Sequence, residues 1–164
     1  MRFRLEHQLP ASIDHAWSTI MSESFSKESY AKSGTERQTI SSEDRGGKTY
    51  SVVRVKVLEP MPKMAAKVLG TEQLIWNQQQ VIDHATHTMQ WKIEIPNAKK
   101  VSAQGSFRLM QKGDVCVRVV EGDVSVKMPL VGRKAEEHIC AKLQTSYEKS
   151  AQFTQEYLRT HPAS

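Results

Sequence analysis

Phe3, Leu5, His7 and Leu9 alternate with Arg2, Arg4, Glu6 and Gln8, which predicts a strand over residues 2–9 with one buried face. Pro10 ends it. Ser12 or Asp14 stands ready to cap a helix carrying Ile13, Ala16, Trp17 and Ile20 along one side. A second short helix is expected over 23–32, anchored by Phe25 and Tyr30 and closed by Gly34. From about residue 36 to 127 the pattern is that of strands. Residues 51–58 set Val53, Val55 and Val57 against Arg54 and Lys56, after a hairpin turn at Asp44-Arg45-Gly46-Gly47. Strands over 72–81 and 86–95 join near Asp83-His84. In the second, His87, Met89, Trp91, Ile93 and Ile95 share a face. Strands over 102–111 and 115–128 follow, joined by a turn at Lys112-Gly113-Asp114. In the last strand the apolar parity is odd at Val115, Val117 and Val119 but even at Val124, Val126 and Met128. That switch predicts a bulge at Glu121-Gly122-Asp123.

An insert over 59–70 interrupts the strands. Met61, Met64, Ala65 and Val68 fall at helical spacing there, Lys63 and Lys67 lie off that face, and Gly70 can stop the helix. The chain closes with a long helix over 132–159, whose inner stripe runs through Ala135, Ile139, Leu143, Ser146 or Tyr147, Ser150, Phe153 and Tyr157. At 1.5 Å per residue it is roughly 42 Å long, against roughly 30 Å for a nine-residue strand, so it can cross a whole sheet. The order is strand, two short helices, about six antiparallel strands, long helix: an α+β class with a sheet of about six or seven strands. A sheet of that extent curls, and the terminal helix is the element long enough to fill its hollow. No repeat or linker divides the chain, so one domain over 1–160 is expected, with 161–164 as a frayed tail.

Composition narrows the function classes. Apolar residues make up 38% and charged residues 25% of 164, which fits a globular chain. No apolar run approaches the length of a membrane span. The opening residues Met1–His7 lack the apolar stretch of a signal peptide, so the expected location is the cytoplasm. Cys116 and Cys140 stand alone and are expected to be reduced. The net charge of +5 is local: residues 45–67 hold six basic residues and one acid, Glu59, leaving 17 of each sign elsewhere. With Tyr50 as its only aromatic, that segment does not read as a nucleic-acid stripe.

The element order resembles the START-like, or SRPBCC, helix-grip superfamily. Residues Val124-Ser125-Val126-Lys127-Met128-Pro129-Leu130-Val131-Gly132-Arg133-Lys134-Ala135-Glu136, leading into the last helix, and the Pro-containing insert at 60–70 resemble a bacterial branch known as a domain of unknown function. The resemblance implies a curved sheet gripping the helix, with a hydrophobic cavity between them. It implies no reaction.

The residues themselves show little chemistry. No GxSxG, HExxH, Walker or GxGxxG pattern occurs, and the Asp83-His84-Ala85-Thr86-His87 cluster lacks an obvious third metal ligand, so no catalytic residue, metal or cofactor is expected. Glu136-Glu137-His138 reads as capping electrostatics at a helix start. The expected function is non-catalytic binding or transport of a hydrophobic, lipid-like small molecule. His7, Met64, His87 and Met89, with Trp91, Phe107, Leu143 and Tyr147, are the candidate ligand-binding residues. One alternative is a cyclase- or hydrolase-type enzyme using His7 or His87 as acid or base. Another is an interaction module with a filled core and a basic docking face at 45–67. The insert at 60–70 is also a candidate for transient contact with a membrane surface.

Overall fold

A computed structural model describes residues 1–164, the side chain of Val68 apart. Its elements are β1 (Arg2–Leu9), α1 (Ile13–Ile20), α2 (Glu23–Ser33), β2 (Thr35–Arg45), β3 (Lys48–Val57), α3 (Lys63–Leu69), β4 (Ile75–Asp83), β5 (Thr88–Glu94), β6 (Val101–Lys112), β7 (Val115–Val126) and α4 (Gly132–Thr160). The seven strands form one antiparallel sheet in the order β1-β7-β6-β5-β4-β3-β2. Consecutive strands from β2 to β7 are neighbours, and β1 closes on the far side against β7. The local chemistry explains each boundary. Ser12 and Ser22 cap α1 and α2 by accepting hydrogen bonds from the His15 and Phe25 amides. Gly34 and Gly70 end α2 and α3 in the left-handed region, which an L side chain enters only at a cost.

The inner face of the sheet, which packs on the helices, follows from the register. Phe3 pairs with Gly122, Leu5 with Val120, His7 with Arg118 and Leu9 with Cys116. Phe107 pairs with both Val120 and Met89. Phe3, Leu9, Trp91, Phe107, Val120 and Val124 join Trp17 of α1 and Cys140 and Leu158 of α4 in the core. Cys116 and Cys140 are buried and unpaired.

Four expectations change. The bulge at 121–123 is absent: β7 keeps one unbroken register with β1 and with β6 from end to end. Its inner face reads Cys116, Arg118, Val120, Gly122, Val124 and Val126. Val117 and Val119 are buried on the outer face instead, flanked by Gln8 and Met110 and by Glu6 and Arg108. The bulge that does occur lies in β2, between Thr39 and Ser41. It twists an exposed edge strand, which discourages pairing with other chains. His87 is not in β5; it sits before it with φ +52, and its carbonyl accepts from the Leu109 amide. Glu136 does more than favour the helix dipole: its carboxylate accepts from the Val126 amide at 2.9 Å and lies 3.7 Å from the terminal amine. Finally, the tail is held at its start. The His161 ring stacks on Tyr157 at 3.9 Å, and its carbonyl meets His15 Nε2 at 2.8 Å.

Candidate functional site

The helices cover the inner face unevenly. α4 lies over β1 and β7, α1 over β6 and α2 against β2, which leaves the middle strands β3, β4 and β5 between them. Register places Ser51 and Val53 of β3, Gln78, Gln80 and Ile82 of β4, and Met89 and Ile93 of β5 on this inner band. Each is only half-buried. The band is amphipathic. Ile82, Met89 and Ile93 form its apolar part, and Ser51 donates to Gln80 at 3.2 Å in its polar part. Trp91 floors the band. Its ring lies against Gly105 and Gly122, a cross-strand pair whose missing side chains let the ring approach the backbone closely.

The candidate residues separate into groups. Met89, Trp91 and Phe107 are neighbours on β5 and β6. Leu143 and Tyr147 reach the same core from α4, with the Tyr147 and Phe3 rings 6.2 Å apart. Met64 does not join them: it is 78% exposed, because α3 turns Ala65, Ala66 and Leu69 inward instead. His7 and His87 lie on β1 and before β5, three strand spacings or roughly 14 Å apart, with Arg118 and Leu109 between them. His7 faces Arg118, Nδ1 to Nη2 at 3.4 Å. Burial, and then the charge of Arg118, hold its pKa below the ordinary histidine value against a smaller pull from Glu148. His87 lies 3.4 Å from Asp14 and 5.3 Å, edge-on, from the Trp17 ring. The two histidines therefore serve different environments and share no site. None of the eight candidates lines the surface groove of about 690 Å³ at Gln8–Ser12 and Gln155, or the one of about 590 Å³ over the outer side of Gly105 and Gly122.

Two features escaped the sequence. One is a chain of hydrogen bonds from Trp17 Nε1 to His84 Nδ1 at 3.3 Å, between His84 Nε2 and Thr49 at 3.0 Å, and from Thr49 to Asp44 at 2.6 Å. It ties α1 to the far strands β2 and β3. The other is Arg118, only 3% exposed, on the inner face of β7 under α4. It donates to the Tyr147 carbonyl at 2.8 Å and the Ser150 hydroxyl at 3.2 Å. Burial pulls its pKa down to about 10. Burial also pushes the Tyr147 phenol up, against the opposing charges of Arg118 and Arg37. The clue was present: Arg118 stands on the parity of Val120, Val124 and Val126.

The profile of DUF2505, a protein family of unknown function, matches residues 4–158. The chain belongs to that family. A search of curated proteins by sequence finds no match. Solved structures extend the picture for this DUF2505 protein. It superposes on TTHA0849 from Thermus thermophilus with TM-score 0.71 at 13% identity, over 99% of this chain and 100% of that one. The Zhui aromatase/cyclase from Streptomyces sp. R1128 gives 0.66 at 17%, over 97% and 94%. A START superfamily protein from Mycobacterium smegmatis gives 0.63 at 13%, over 96% and 98%. At these identities the likeness is one of fold: this chain has the START-like helix-grip architecture, an antiparallel sheet wrapped around a long C-terminal helix. No helix among the described residues is long and apolar enough to cross a membrane.

Proposed function

We propose that this protein binds a small lipid-like molecule, without catalysis, on the inner band between β3–β5 and the helices. One observation carries the reading. Ile82, Met89 and Ile93 are apolar and only half-buried at the edge of the core, while the main helix contacts with the sheet fall on β1, β2, β6 and β7. Each methylene of a ligand buried there contributes about 0.8 kcal/mol. Ser51, Gln78 and Gln80 on the same band suit a polar end, so the fitting molecule is amphipathic rather than purely hydrocarbon. Titration with Nile red, a neutral fluorescent lipophile, tests this. Ser51→Trp fills the band and is expected to weaken binding about tenfold or more. Ser102→Trp places the same ring on the outer face, where Ser102 is exposed, and leaves binding intact. Failure of the wild type to bind, or equal binding by both variants, defeats the reading.

The same proposal names where the molecule is exchanged: a lipid surface of negative charge. At one end of the sheet, α3, the 95–100 connection and the turn into α4 lie side by side. Leu58, Met64, Leu130 and Val131 project there at 49%, 78%, 101% and 47% exposure, four of the six exposed large hydrophobics among the described residues. Lys63, Lys67, Lys99, Lys100, Lys127 and Lys134 surround them, all exposed. Leu130 holds φ +66, a strained setting for a leucine, and its side chain stands in solvent. Lysine charge and apolar tips together match an anionic bilayer. Sedimentation with phosphatidylglycerol vesicles is expected to carry the protein down, and phosphatidylcholine vesicles to leave it in solution. Met64→Asp with Leu130→Asp is expected to abolish the difference; retention of vesicle binding in that variant rejects this docking face.

A further inference from the structure

Arg118 is the only charged side chain among the buried residues described. Its three partners, the Tyr147 carbonyl, the Ser150 hydroxyl and His7 Nδ1, carry no formal charge in that arrangement. None of the ion pairs among the described residues includes it. The nearby acids are engaged elsewhere. Glu6 and Glu121 meet Arg4 and Lys112 on the outer face, and Glu148 is exposed on α4. A full positive charge thus lies in the core with neutral acceptors alone, an arrangement that costs stability unless a counter-ion completes it. A tether between β7 and the α4 backbone needs no charge; a glutamine amide can donate to the same carbonyl.

A second observation points the same way. Every buried side-chain polar atom without a hydrogen-bond partner is an N–H donor: Trp76 Nε1, Trp91 Nε1, Arg108 Nε and Arg118 Nε. Register places Trp76, Trp91 and Arg118 on the inner face. These three donors find no acceptor, so a group that completes them brings oxygen lone pairs.

We propose that Arg118 is the counter-ion for the carboxylate of an amphiphilic ligand, so that the protein takes a fatty-acid-like anion in preference to a neutral lipid. The inference rests on the amphiphile reading above and names its head group. The Nε–H of the guanidinium has no partner and would take a carboxylate oxygen, with the alkyl chain directed across the inner face toward Met89 and the band.

Isothermal titration of the full chain with decanoate and with 1-decanol at pH 8 separates the two proposals, because the ligands share a tail and differ in charge. The wild type is expected to favour decanoate about tenfold or more. Arg118→Gln is expected to bring the ratio close to one, and Arg118→Lys to keep part of it. Equal affinity of the wild type for both ligands overturns the role of Arg118 while the lipid-binding reading survives. Binding of neither ligand removes that reading as well. Retention of the full preference in Arg118→Gln assigns Arg118 to tethering only. Should Arg118→Gln fail to fold, the wild-type ratio and Arg118→Lys decide the matter.

Discussion

Gly105→Ala is expected to destabilise the protein by about 3 kcal/mol or more, far beyond an ordinary glycine replacement. A Cβ at that position would fall on the Glu121 carbonyl oxygen and stand 2.6 Å from the Trp91 ring. Both obstacles are held: the first belongs to the β7 backbone, the second to a ring only 5% exposed. Relief requires β6 and β7 to part or Trp91 to leave the floor of the band. For a chain of this size the loss corresponds to roughly 6–12 °C in Tm. Gly113→Ala is the matched control. Nothing lies within 4 Å of its Cβ, and its φ of +59 makes conformational strain the only cost, about 1 kcal/mol. Urea unfolding of the two variants measures the contrast. Equal losses would mean that the glycine pair is not where the sheet and the indole meet closely.

Trp17→Ala ranks beside it, with an expected loss of about 4 kcal/mol. The indole is 6% exposed and meets Phe107 and the edges of His84 and His87. It is also the first donor in the hydrogen-bonded chain through His84 and Thr49 to Asp44. Trp17→Phe keeps most of the apolar volume and removes that donor, so it is expected to cost about 1 kcal/mol for the lost hydrogen bond plus a smaller packing loss. Thermal unfolding of both variants separates packing from polar linkage. If the alanine variant loses no more than the phenylalanine variant, α1 is not fastened to the sheet by this ring.

Most of the architecture was legible because most strands have one covered face. β1 and β5 alternate clearly, and the turns announce themselves through Gly46-Gly47 and Gly113, all of which adopt positive φ. The reading fails where that contrast fails. β7 runs between β1 and β6 with valines buried on both faces, so parity there carries no direction. A bulge is then needed only to reconcile two sets of valines that simply face opposite ways. The same ambiguity hides Arg118, which looks like a solvent-facing member of an alternating run. His87 misleads for a related reason: it continues the alternation of Met89 and Trp91 although its backbone has already left the strand. The rotation of α3 is beyond pattern reading altogether, since a seven-residue helix offers two candidate stripes, and only packing decides between Met64 and Ala66. The half-buried band over β3–β5 depends on where α1, α2 and α4 settle on one sheet, and no periodicity records that.

The placement of β1 sets the order in which the molecule can be assembled. From β3 to β7 each strand finds its partner in the strand made just before it, so hairpins can form one after another as the chain leaves the ribosome. The first strand must wait. Its partner is the last strand synthesised, with Arg2 facing Asp123 and Leu9 facing Cys116. Contacts that distant in sequence form slowly, because the intervening loop must close before they yield any stability. The nascent protein therefore carries β1 unpaired while all the other strands are made, and only the arrival of β7 and α4 gives it a place to bind.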